Sequence, residues 1–213
     1  MADGSSYKIM DPRPIAAEAP YTFFLPHESE LAALRVGDLV KITFEWEPPF
    51  VEYAAERMWV TVMKIDSDIL MGTLENEPFE KDRMRVGDAV TFGRHNILAI
   101  RFADPVPNVR PPEYREYWER CLVDDCVLDG SAVVEYLYRE EPDMGSAGDK
   151  YPDSGWRIRG LENDGEDMDK RTPQYVAVGA VLNKDDSWLS LIDAPVGSKF
   201  RRDFDTGEYR PVA

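Results

Sequence analysis

Few residues in this chain have the type and spacing that chemistry requires. The two histidines, His27 and His95, fall in unlike segments, and neither Cys121 nor Cys126 has a histidine near it in sequence. The cysteines read as lying where a helix end runs into a strand, which suits reduced core or boundary thiols rather than a disulfide framework or a zinc site. Ser154 stands in Asp-Ser-Gly-Trp, but a nucleophile elbow needs a glycine two positions before the serine, and Pro152 is there instead. The acidic run Glu162, Asp164, Glu166, Asp167 and Asp169 invites a calcium reading. With Gly165 at the sixth position of an EF-hand loop, however, Gly160 and Arg171 fall where the first and last ligands are required, so the run reads as a solvated loop. A carboxylate pair such as Glu140 and Glu162 depends on distance through space, which sequence does not give. The sequence therefore predicts no catalytic residue, no cofactor and no metal ligand, and a protein that is not an enzyme.

The elements that position these residues are organised around residues 151–160. Pro152 sets an extended approach, Asp153 and Ser154 offer acceptors to a tight turn, and Gly155 permits a conformation that other residues resist. Trp156 and Ile158 then alternate with Arg157 and Arg159 in the period of a half-buried strand. Burying an indole removes on the order of 200 Å2 and is worth up to roughly 5 kcal/mol, so Trp156 is expected in the core. Arg139, Glu140, Asp153, Ser154, Arg157 and Glu162 are expected, with Trp156, to form a partner-binding or structural set.

Around this stretch the chain reads as α+β, with two small domains. Residues 1–19 read as a mobile arm or an edge segment, and residues 20–104 as a β-rich, barrel-like unit. In that unit Tyr21 to Leu25 reads as a strand, and the segment after Pro26 as a short helix with His27 near its cap. Arg35-Val-Gly-Asp is echoed by Arg85-Val-Gly-Asp, each leading into a strand, and Met58 to Leu74 forms a hairpin around Asp66, Ser67 and Asp68. Residues 105–112 form a Pro-rich linker. Residues 113–213 form an antiparallel or mixed sheet with short helices. Here Tyr114, Tyr117 and Trp118 are expected on a helix, Cys126 to Tyr138 as a hairpin on Asp129-Gly130, and Tyr175 to Leu182 as a buried strand.

No segment of the 213 residues carries the ~18 consecutive apolar residues of a membrane span, and the first residues lack a basic region followed by an apolar run. A cytoplasmic location is the expectation. The net charge is −16, shared between residues 1–105 (11 basic, 18 acidic) and residues 106–213 (14 basic, 23 acidic). Such a field works against nucleic acid and anionic membranes and steers basic partners inward.

The turn at 151–160, taken with Tyr136-Leu-Tyr-Arg-Glu-Glu-Pro142 and the ending Leu191-Ile-Asp-Ala-Pro-Val-Gly-Ser-Lys-Phe200, resembles the signature of a bacterial family. That family was first catalogued as a domain of unknown function and is now counted among immunity proteins of polymorphic toxin systems. The resemblance runs from about Asp125 to Arg202. Trp59 on its strand, Gly72-x-Leu74-x-Asn76-x-Pro78 and Gly87-Asp88 likewise resemble a second bacterial domain of unknown function, over roughly Glu56 to Ile100. Neither resemblance carries catalytic residues. The first implies a protein partner, a cognate toxin neutralised by association, and the charge favours a basic one. The alternative is a cytosolic regulator or scaffold that binds another protein or a small ligand.

Overall fold

The computed structural model describes residues 7–47, 49, 54–79, 81–106, 109–146, 148–161 and 171–212. The chain divides into two compact units. One comprises Met1–Glu18 with Phe23–Tyr114, and the other comprises Ala19–Thr22 with Arg115–Ala213. Each unit has its own hydrophobic core.

The first unit is a curved antiparallel sheet of β1 (Tyr7–Ile9), β2 (Leu39–Trp46), β3 (Ala55–Asp66), β4 (Ile69–Leu74), β5 (Ala89–Gly93) and β6 (Ala99–Arg101). After β5 the chain makes a 3-10 turn and returns as β6 to pair with β2, so the sheet nearly closes into a barrel. Alternation along β2 to β5 sends Val40, Ile42, Phe44, Met58, Val60, Val62, Leu70 and Val90 into the interior. The Asp66–Asp68 hairpin is present, with Ser67 at a φ of 55°. Both Arg-Val-Gly-Asp segments form the same turn. Asp38 accepts the Arg35 N–H and Asp88 accepts the Arg85 N–H, each at 2.8 Å, and the two glycines stand at φ of 98° and 90°. Helix α1 (Arg13–Glu18) precedes α2 (Glu28–Ala32), whose N-cap is His27: its ring accepts the Ser29 N–H while Glu30 accepts the His27 N–H.

The arm expected over 1–19 is thus, from Tyr7 onward, an edge strand followed by a helix. The strand expected over Tyr21 to Leu25 is absent. Tyr21 instead directs its N–H to the Asn183 side chain at 2.9 Å and its hydroxyl to Asp186 at 2.6 Å, which places it in the second unit.

The second unit is a mixed six-stranded sheet in the order β10-β7-β9-β8-β11-β12. Its strands are β7 (Arg120–Asp124), β8 (Val134–Arg139), β9 (Asp153–Gly160), β10 (Pro173–Ala177), β11 (Lys199–Arg202) and β12 (Tyr209–Pro211), and only β7 and β9 run parallel. Helices α3 (Asp125–Leu128) and α4 (Val178–Leu182) and a 3-10 turn at Leu189–Leu191 cover one face.

Three expectations change here. The aromatic segment before β7 is not a helix, because the Glu119 and Tyr117 carbonyls accept the first N–H groups of α4, at 2.8 and 2.9 Å, rather than bonding within their own turn. Cys126 belongs to α3 rather than a hairpin: the chain runs from strand into helix, ended by Gly130 at a φ of 80°. The apolar run at Tyr175 to Leu182 divides into β10 and α4, a distinction that a short apolar run does not encode.

Candidate functional site

The Asp153-Ser-Gly-Trp-Arg157 segment is a bulge in β9. Arg120 of β7 lies opposite Asp153, whereas Leu122 lies opposite Arg157, so β9 inserts extra residues between them. Gly155 makes this possible at a φ of 78°, and a Cβ built there would sit 2.1 Å from the Glu140 carbonyl oxygen. The Ser154 hydroxyl donates to the Arg120 carbonyl at 2.7 Å and accepts the Trp156 N–H at 3.2 Å. Ser154 thereby shapes the backbone. Both of these hydroxyl bonds go to backbone groups, and neither involves a histidine.

The bulge sends its side chains to opposite faces. Trp156 is 1% exposed, donates from Nε1 to the Ile192 carbonyl at 3.2 Å and meets Trp188 edge-on at 5.7 Å. Arg139 caps its ring at 5.7 Å and ties the bulge to the 3-10 region, donating to the carbonyls of Ser154 at 3.0 Å and Ala194 at 2.8 Å. The small cleft beside them, walled by the Arg115–Asp193 ion pair, holds about 160 Å3. That is less than the ~300–1,000 Å3 typical of ligand pockets.

Arg157 emerges on the other face but is not exposed there. Its side chain is 4% accessible and that of Asp153 is 1%. Nε donates to Glu140 at 2.5 Å; Nη1 donates to Asp153 at 3.0 Å and to the Trp156 carbonyl at 3.2 Å; Nη2 donates to Asp153 at 2.8 Å and to Asp143 at 2.9 Å. All the donor capacity of a guanidinium is used. Asp153 also accepts the N–H groups of Gly155, Asp143 and Met144 at 3.1 to 3.2 Å. Burial pushes the Asp153 carboxyl up, but the hydrogen bonds from Arg157 and from the backbone amides outweigh it, so its pKa falls below the ordinary carboxylate value. The Asp153 hydrogen bond raises the Arg157 pKa. The pair is locked in its charged form and has no proton to exchange near neutrality. Burial likewise pushes the Cys121 thiol up to about 12, far from a reactive thiolate.

The structure thus brings Arg139, Glu140, Asp153, Ser154, Trp156 and Arg157 together around one bulge, while Glu162 lies outside the described residues. Arg171, at the far end of that segment, donates to the carbonyls of Gly160 at 2.7 Å and Leu161 at 2.8 Å and to Asp124 at 2.8 Å. Asp124, 1% exposed, also receives Arg159 at 3.2 Å. Among the described residues no group of three His, Cys, Asp or Glu side chains converges as a metal site.

Sequence reasoning missed the surface that this scaffold presents. Strand register places Tyr138, Arg157, Leu122 and Tyr175 with Lys199 in one row across the sheet, on the face away from the helices. The adjacent row holds Arg159, Tyr136, Arg201 and Arg210. Residues 140–144 roof the first row at Arg157, whereas the second is open, with Arg201 63% and Arg210 66% exposed. The rings of Tyr136 and Tyr138 meet at 5.7 Å, and Arg201 lies 5.6 Å over Tyr136. The alternation Tyr-x-Tyr and Arg-x-Arg was the available signal. The pairing of β8 with both β9 and β11 was not.

No helix among the described residues is long and apolar enough to cross a membrane. Comparison with curated proteins and with solved structures found no match. Both units, however, match family models: residues 27–104 match an uncharacterized protein family conserved in bacteria (DUF2314), and residues 121–213, which hold the whole bulge and its open face, match the Immunity protein Imm33 domain.

Proposed function

We propose that this protein is a non-catalytic immunity protein that binds and neutralises a cognate toxin, with the second unit making the contact. The observation that carries this reading is the saturated ionic network at the signature bulge. Arg139, Glu140, Asp153, Ser154 and Arg157 are committed to holding β9, and that rigid strand backs an open tyrosine and arginine surface. Tyrosine and arginine are the residue types that dominate interface energies, because they bring large rigid contact area and planar donors at low conformational cost. The match of residues 121–213 to an immunity domain supports the same assignment. The net charge of −16 adds long-range steering toward a toxin of opposite overall charge.

Affinity capture of the tagged full chain from its native cells, followed by mass spectrometry, tests this reading. One stoichiometric partner whose isolated expression arrests growth, and whose effect is relieved by co-expression of this chain, is the expected result. Capture of no such partner at low or high salt contradicts it.

A further inference from the structure

The open face of the second sheet gathers basic side chains in a chain that is acidic overall. Across β9, β8, β11 and β12 it presents Arg159, Lys199, Arg201 and Arg210 around Tyr136 and Tyr138. Two of these cations are held by carboxylates: Arg210 pairs with Asp203 at 2.5 Å and Arg159 with the buried Asp124 at 3.2 Å. The other two are held less, since Glu135 reaches Arg201 at 3.9 Å and Lys199 has no ion-pair partner among the described residues. In a chain carrying 41 acidic against 25 basic residues, Lys199 and Arg201 are thus two exposed cations of this face without a close carboxylate among the described residues.

We propose that this face receives a carboxylate-rich segment of the protein partner, with Lys199 and Arg201 as its charged anchors and Tyr136 and Tyr138 as its apolar floor. The proposal rests on the immunity reading above and adds the chemistry of the contact. Guanidinium and carboxylate match as planar, bidentate partners, and tyrosine hydroxyls donate to the same oxygens. A nucleic acid is the poorer occupant. Its phosphates extend beyond any one sheet face into the field of a chain at −16, whereas a short acidic segment ends where the cations end. Global and local charge act at different ranges: the first speeds approach of a partner that is basic overall, and the second selects which patch of that partner seats.

The test uses the isotopically labelled full chain, titrated separately with poly-L-glutamate and with a single-stranded oligonucleotide, and read as amide shifts. Poly-L-glutamate is expected to move amides of residues 134–139, 156–160 and 199–202. The double variant Lys199→Glu, Arg201→Glu is expected to weaken this by about tenfold or more, since each removes and reverses one charge contact. Both side chains are exposed, and the unperturbed remainder of the spectrum reports that the variant is folded. Absence of these shifts, their appearance elsewhere, or equal shifts with the oligonucleotide overturns the proposal. The two readings fail differently: a toxin captured equally by wild type and double variant removes this face but keeps immunity, whereas glutamate binding here without any captured toxin removes immunity and keeps the face.

Discussion

At the scale of single residues, the bulge rests on one glycine and one ion pair. Gly155 combines a left-handed φ of 78° with a carbonyl oxygen 2.1 Å from where a Cβ would stand, so Gly155→Ala must both strain and displace the β8–β9 connection. The expected loss is about 3 kcal/mol or more of unfolding free energy, measured by urea titration. Asp153→Asn leaves Arg157, at 4% side-chain exposure, without its buried anion, at a cost of about 3 kcal/mol near neutral pH. The acid limb carries the sign. Because the folded-state pKa of Asp153 is lowered, its contribution is complete above the ordinary carboxylate pKa of about 3.9 and is lost as pH falls through the lowered value. Unfolding measured between neutral pH and the acid range should therefore show a steeper loss in wild type than in Asp153→Asn. Parallel curves would remove Asp153 as the linked group. Alternation and the energy of burying an indole placed Trp156 in the core, where it is 1% exposed, since both need only the residue and its neighbours in sequence. It did not reveal that Arg157 is buried, because the roof over it comes from Glu140 and Asp143, on a loop that leaves a different strand.

At the scale of elements, the two Arg-Val-Gly-Asp turns are the same device in different surroundings. Asp38 is 3% exposed and its second oxygen accepts the Ala103 N–H at 2.9 Å, whereas the exposed Asp88 carboxylate accepts, among the described residues, the Arg85 N–H of its own turn alone. Asp38→Ala should accordingly cost about 2–3 kcal/mol and Asp88→Ala about 1 kcal/mol or less. Equal losses in thermal unfolding would contradict this distinction. Both turns and the hairpin at Asp66–Asp68 were legible because Gly-Asp and Asp-Ser-Asp specify local backbone geometry. The segment before β7 was not, since Tyr114, Tyr117 and Trp118 have a helical spacing but Tyr117 and Glu119 give their carbonyls to α4, which lies about sixty residues on. The apolar stretch from Val176 to Leu182 was ambiguous for a related reason: it is apolar throughout, partly buried as strand and buried as helix, and packed so closely at Gly179 that a Cβ built there would stand 2.9 Å from the Tyr21 carbonyl oxygen.

At the scale of the molecule, the sequence was read as α+β with a barrel-like first unit and a sheet with short helices in the second, and both architectures are present. The proposed contact surface was legible only in part. Its motif residues could be named from the sequence, yet the face they support is assembled from strands 136–138, 159 and 199–210, which no local pattern ties together. The central claim is that this face, and not a chemical site, carries the protein's role. Isothermal titration of the full chain with the partner recovered by affinity capture, comparing wild type with Tyr136→Ala, Tyr138→Ala, tests it most directly. Loss of these two rings should weaken binding by about 2–4 kcal/mol, some 30- to 1,000-fold, while the melting temperature stays near that of wild type. Unchanged affinity in a folded double variant would contradict the account.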